Sequence, residues 1–222
     1  MQLPALIFLG LPFGIALATH KVASVALGIG ATFRHAREKS LDKKLVIFIL
    51  MTGMPGVILG ANLILQIEDR VAEIALGVLT LGLGVYSIFK KSLGQNAEEK
   101  NRDLKGYLVG GAVLFAIGVL NGSLTSGTGL FVTLWLIRWF GFDYKMAVTY
   151  TLILVGMFWN GSGAITLGII GEIKWDWLPV LIAGSLLGGY AGAHLAITKG
   201  NKWIKRGFET VAVLIGTKLI IG

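Results

Sequence analysis

The stretch Asn121-Gly122-Ser123-Leu124-Thr125-Ser126-Gly127-Thr128-Gly129 decides the fold. It is polar and glycine-rich, yet it lies inside the apolar run 106–141. One membrane helix needs about 20 apolar residues, and this run is longer than that and polar at its centre. Non-helical backbone at membrane depth is tolerated only where protein or a wet cavity satisfies it. The stretch is therefore expected to be a break between two helices, or the tip of a re-entrant hairpin. Such a break would aim free N–H groups, the positive end of a helix dipole and several hydroxyls into one cavity, which suits a small anion. It is not a P-loop, because no Gly-Lys-Ser/Thr closes it. An ordinary extramembrane loop is the plainer alternative.

The rest of the chain agrees with lipid as the solvent. Of the 222 residues, 55% are hydrophobic and 14% are charged, and mean hydropathy is +0.76. Soluble domains carry about 25% charged residues. Charged residues punctuate apolar spans at 15–33, 45–66, 71–89, 146–170, 178–197 and 207–221, with a shorter one at 3–13. Lys21 lies inside the span 15–33. The expected fold is an all-α, polytopic transmembrane helical bundle. Cysteine is absent, which excludes disulfides and thiol chemistry. No two of the three histidines have metal-ligand spacing, so neither metal nor organic cofactor is expected. Ala16-Leu17-Ala18 resembles a signal cleavage site, but no basic residue precedes it.

The net charge of +8 does not imply nucleic acid, because the basic residues sit between spans. If 106–141 enters the membrane and returns, loops 34–44, 90–105, 138–145 and 199–206 share one face. They carry five, five, two and four Lys or Arg, sixteen of the twenty. A single crossing there would split the charge about twelve to eight. The positive-inside rule therefore favours the hairpin, with loops 34–44, 90–105 and 199–206 cytoplasmic in a cell (inner or plasma) membrane.

The two halves resemble each other. Gly56, Gly60, Ala61 and Leu63 recur as Gly188, Gly192, Ala193 and Leu195, at an offset of 132. Gly84 recurs as Gly216 at the same offset, while Gly10 and Ala16 pair with Gly141 and Ala147 at 131. This divides the chain into a first repeat at 1–92, a linker at 93–105 and a second repeat at 106–222. An odd number of crossings per half makes the repeats inverted, as in secondary transporters. The first half has no counterpart of 106–133. Two expectations compete for that: Met1 as an internal methionine of a longer reading frame, or a naturally short chain that self-associates as a homodimer.

Candidate site residues are Asn121, Gly122, Ser123, Thr125, Ser126, Gly127, Thr128 and Gly129, joined by Thr149, Tyr150 and Thr151 and by their first-half counterparts Thr19 and His20. His20 is also a candidate protonation switch. Asn160, Ser162, Asn62 and His194 are polar positions within spans, which helix–helix hydrogen bonding explains as well as transport does. Glu73 and Glu209 are expected at the interface, and Trp175 and Trp177 as interfacial anchors. No Ser/His/Asp set, HExxH motif or paired intramembrane aspartates support an enzyme.

The order of motifs resembles the TauE/SafE-like sulfite-exporter family of membrane permeases, over nearly the whole chain. The matching residues in the first half are Pro4-Ala5-Leu6, Ala16-Leu17-Ala18-Thr19 and Gly60-Ala61. In the second half they are Gly122 to Gly129, Ala147-Val148-Thr149-Tyr150-Thr151, Gly171-Glu172-Ile173-Lys174-Trp175 and Gly192-Ala193. The resemblance implies transport of small sulfur-containing anions such as sulfite or organosulfonates. The reading is thus a secondary transporter whose partners are a small anionic solute and the bilayer. An anion channel, or a non-transporting partner subunit, is the alternative.

Overall fold

The computed structural model describes residues 2–35, 41–64, 68–89, 94–124 and 127–221. Among the described residues there is no strand. Helix α1 (Gln2–Phe8) is short, and a turn at Gly10 leads into α2 (Phe13–His35). The next three, α3 (Lys43–Leu63), α4 (Asp69–Phe89) and α5 (Leu104–Ser123), each hold 20 or 21 residues. After the shorter α6 (Thr128–Phe140) comes α7 (Tyr144–Tyr150), which continues through a π-helical segment, Thr151–Trp159, into α8 (Asn160–Ile170). α9 (Leu178–Lys199) and α10 (Asn201–Ile221) follow. Among the described residues five stretches are long and apolar enough to cross a membrane: α2, α3, α5, the rod 144–170 and α9 with its lead-in turn. Large apolar side chains point outward along them, with Ile169 78% and Val180 77% exposed, as a lipid-facing surface requires. The fold is an all-α polytopic membrane bundle.

Three spans begin in the same way. Asp42, Asp103 and Asp143 stand in extended backbone and accept hydrogen bonds from the N–H of Lys44 (2.8 Å), Gly106 (3.0 Å) and Met146 (2.7 Å). Each such cap satisfies an otherwise orphaned donor and contributes about 1 kcal/mol. A lysine follows each aspartate by two residues (Lys44, Lys105, Lys145), so a basic residue is held beside the start of each span.

Helices α5 and α6 fold back on each other as a hairpin. The Trp139 indole donates to Gly106 O (2.9 Å), the Trp135 indole to Gly110 O (3.3 Å), and the Asn101 amide to Trp139 O (2.7 Å). The break at the tip is narrower than 121–129. Asn121, Gly122 and Ser123 remain helical, because continuing the helix keeps their backbone groups paired where no water can. Gly127 turns the chain with φ +83, a conformation that glycine alone adopts at little cost.

Glycines set the helix spacing. On α3, Gly56 and Gly60 lie against the backbone of Phe115 and Val119 in α5, and Gly122 of α5 lies against Val57. Helix α2 meets α9 at Gly30 and Gly189, and α4 meets α10 at Gly77 and Gly216. Small residues let membrane helices approach closely enough to gain backbone contact. On α9, Gly184, Gly188 and Gly192 face open space.

The described parts of the basic loops stand on one face. Glu98 N donates to Gly141 O (2.8 Å), Tyr144 N to Gly94 O (2.8 Å), and Asp42 N to the Tyr150 hydroxyl (2.8 Å). Gln95 shares a cleft with Lys199, Lys202 and Arg206. Helix α10 begins earlier than the span 207–221, and its first turns carry the lysines and Arg206 of this face. The Lys205 ammonium there donates to Glu209 (2.5 Å) and to both oxygens of Ser87. Glu209 is therefore turned into the bundle, its side chain 17% exposed, rather than lying at the interface. An inward lysine partner outweighs hydration of the carboxylate at that depth.

Candidate functional site

Three elements converge behind the α5–α6 break: the end of α5, the start of α6, and α2. Asn121, on the last turn of α5, is 2% exposed. Its Nδ2 donates to the Thr128 hydroxyl (2.8 Å), which belongs to the first residue of α6. One turn further along α6, the Thr133 hydroxyl donates to that of Thr151 (2.9 Å), where the π-helical segment starts. A Cβ at Gly129 would sit 3.2 Å from Thr151 Cγ2. Asn121, Thr128, Gly129, Thr133 and Thr151 thus line one buried polar strip along the N-terminal turns of α6.

Helix α2 adds a charge to this strip. Lys21 is 0% exposed, and its Nζ donates to Asn121 O (2.7 Å), Asn121 Oδ1 (3.0 Å) and Asn160 Oδ1 (3.3 Å). Asn160 stands where the π-helical segment gives way to α8. One turn on, Gly163 leaves room for the lysine chain: a Cβ there would fall 2.6 Å from Lys21 Cδ. On the other side of the break, the Thr80 hydroxyl of α4 is buried without a hydrogen-bond partner among the described residues, and a Cβ at Gly127 would come 3.2 Å from it.

The other expected site residues lie elsewhere. Thr149 returns its hydroxyl to Lys145 O in its own helix (2.8 Å), and Ser123 does the same to Val119 O (2.9 Å). The Tyr150 hydroxyl serves the start of α3, and its ring packs edge-on to Phe142. Thr19 accepts from Lys174 N (2.9 Å) and so holds the turn before α9. His20 faces Gln2 Oε1 (2.8 Å) and Ser24 rather than the break. Gly122 and Gly127 act through backbone, one by close approach and one by its left-handed turn. Thr125 and Ser126 lie outside the described residues.

The sequence reading passed over Lys21, Thr80 and Thr133 as site residues. The signal for Lys21 was present: an ionisable residue inside an apolar span marks function by default.

The family described as "Sulfite exporter TauE/SafE" matches residues 1–219. A "Probable membrane transporter protein" of Haemophilus influenzae is 27% identical over 221 residues, covering 99% of this chain and 85% of that protein. "Probable membrane transporter protein YfcA" of Escherichia coli K12 is 27% identical over 228 residues, 99% and 81% of the two chains. "Probable membrane transporter protein YunE" of Bacillus subtilis is 22% identical over 224 residues, 93% and 80%. No solved structure matches. With a family match over almost its entire length and an all-α membrane bundle for a fold, the chain belongs to the TauE/SafE sulfite exporter family of membrane transporters.

Proposed function

We propose that the chain is a secondary transporter for a small anion that passes through the α5–α6 break. Sulfite or an organosulfonate is the solute class to which the family name points. The observation that carries this reading is the break itself: a helix N-terminus opening onto buried Asn121, Thr128, Thr133 and Thr151 at membrane depth. Helix breaks of this kind place the positive dipole end at anionic groups. We assign Asn121, Thr128, Gly129 and Thr151 to the solute path.

We read residues 1–92 and 106–222 as inverted repeats joined by 93–105. The close pairing of α4 with α10 through Gly77 and Gly216 supports this division. We place the face carrying loops 34–44, 90–105 and 199–206 in the cytoplasm, on the strength of its positive charge. Single cysteines at Glu99 and Asn201, in a chain that has none, are then protected from impermeant thiol reagents in intact cells. Labelling of both from outside inverts the orientation.

Transport itself is tested with the purified chain in liposomes and radiolabelled sulfite. Uptake should be saturable, and Thr128→Val should lower it about tenfold by removing the hydroxyl that receives Asn121, a loss of about 1.4 kcal/mol. No uptake above protein-free liposomes for sulfite or methanesulfonate would reject the reading. Unsaturable flux would mark a channel instead.

A further inference from the structure

A lysine sealed inside a membrane protein is costly unless something answers its charge. Among the described residues no carboxylate does so, and the charge is met only by the carbonyl end of α5 and two side-chain amides. Three acceptor oxygens surround Lys21 Nζ, which calls for three N–H donors, and only the ammonium form has three. All three acceptors are neutral amide oxygens. No aspartate or glutamate occurs in residues 1–37, 104–142 or 144–171, which supply the groups that bond it, nor in α9, which packs along α2. As the ammonium, Lys21 gives the cluster a positive charge that no carboxylate among its partners cancels.

A second, independent feature lies against the same turn. Thr80 is 0% exposed, and its hydroxyl has no hydrogen-bond partner among the described residues. A buried hydroxyl left unpaired costs free energy, so its presence asks for an occupant. It lies beside Gly127, the residue immediately before α6.

We propose that Lys21 is the anion-binding residue of this protein and that its ligand is a small oxyanion held at the α6 N-terminus, with Thr80 as a further donor on the path. The geometry shows how the exchange works. Asn160 Oδ1 is the most distant of the three lysine acceptors, at 3.3 Å. Its side chain is an amide, so turning it over presents two N–H donors in place of the oxygen. An incoming oxyanion then supplies the oxygen that Lys21 has lost and takes the amide donors as well. A solute with several oxygens can satisfy the ammonium, the amide and a hydroxyl at once, and charge-assisted bonds of this kind are the strong ones. A halide offers a single centre, and a cation meets repulsion. No covalent step is involved.

This inference rests on reading the break as the solute path, and its test separates the two. The purified full chain in detergent is titrated with sulfite, with methanesulfonate and with chloride, and binding is read as a rise in unfolding temperature. Wild type should bind the two oxyanions more tightly than chloride. Lys21→Met and Asn160→Asp should each weaken sulfite binding at least about thirtyfold, the scale for truncating a buried charge interaction. Asn160→Asp is nearly isosteric and gives the lysine an internal carboxylate, so it neutralises the site without removing a side chain. If Lys21→Met does not fold, Asn160→Asp decides alone. A folded variant of either kind with wild-type affinity overturns the assignment, as does wild-type protein that binds neither oxyanion. Sulfite uptake by wild-type proteoliposomes, measured alongside, reports on the transporter reading. Uptake with unaltered variant affinities rejects Lys21 and leaves that reading standing.

Discussion

Among the described residues two lysines are buried, and they are solvated in opposite ways. Lys205 of α10 is 8% exposed and bonds a carboxylate, Glu209, at 2.5 Å. Ser87 completes its surroundings and in turn meets the Tyr144 hydroxyl (2.8 Å). Lys21 of α2 is 0% exposed and, among the described residues, bonds the oxygens of two asparagines and no carboxylate. The first lysine belongs to a neutral pair that joins α4, α7 and α10 near the basic face. The second leaves a net charge beside a broken helix. A charge cancelled within the protein serves the architecture, whereas one left uncancelled is available to a ligand.

The contrast predicts opposite outcomes for the same substitution. Lys205→Met leaves the Glu209 carboxylate without its partner, and breaking a buried pair on one side costs about 3–5 kcal/mol. Thermal unfolding in detergent should show that loss, and the double variant Lys205→Met/Glu209→Leu should recover most of it. A single variant as stable as wild type would mean that the pair holds nothing. Lys21→Met should change stability far less, because it removes a desolvated charge while leaving three acceptors short of a donor, and the two effects oppose each other.

Smaller changes sharpen the picture. Gly163→Ala places a methyl group against the Lys21 chain, which must shift to make room. Sulfite uptake should fall about tenfold, for about 1 kcal/mol or less of stability, since the atoms that give way belong to a flexible side chain. Uptake at the wild-type rate would show that the lysine's position is not critical. Smaller still, Thr80→Val should leave unfolding unchanged within about 1 kcal/mol, because an unpaired hydroxyl is replaced by a group of the same shape. It should weaken sulfite binding several-fold, and a variant that binds as tightly as wild type would remove Thr80 from the path.

Much of this was legible in the sequence, for physical reasons. Apolar spans must be long and uninterrupted to cross lipid, so charged punctuation located α2, α3 and the rod 144–170 to within a few residues. The polar interruption inside 106–141 pointed to a break over the plainer alternative of an ordinary loop, and the Trp139 and Trp135 bonds show α5 and α6 folded back on each other there. The aspartate caps at Asp42, Asp103 and Asp143 leave the short pattern Asp-x-Lys in the sequence. The chemistry inside the break was not legible. Lys21 meets residues 100 and 139 positions away, and which helix faces meet is a tertiary property. The same holds for His20, one residue earlier, whose neighbouring position on the helix turns it toward Gln2 instead. The π-helical segment, which sets Asn160 at its end, leaves no mark in the apolar sequence 151–159.

The central claim is that the uncancelled lysine, not buried lysine as such, makes the anion site. The most direct measurement is the initial rate of sulfite uptake into proteoliposomes by three proteins side by side: wild type, Lys21→Met and the double variant Lys205→Met/Glu209→Leu. The account predicts comparable rates for wild type and the double variant, and a rate at the protein-free background for Lys21→Met. Uptake by folded Lys21→Met at the wild-type rate would contradict it.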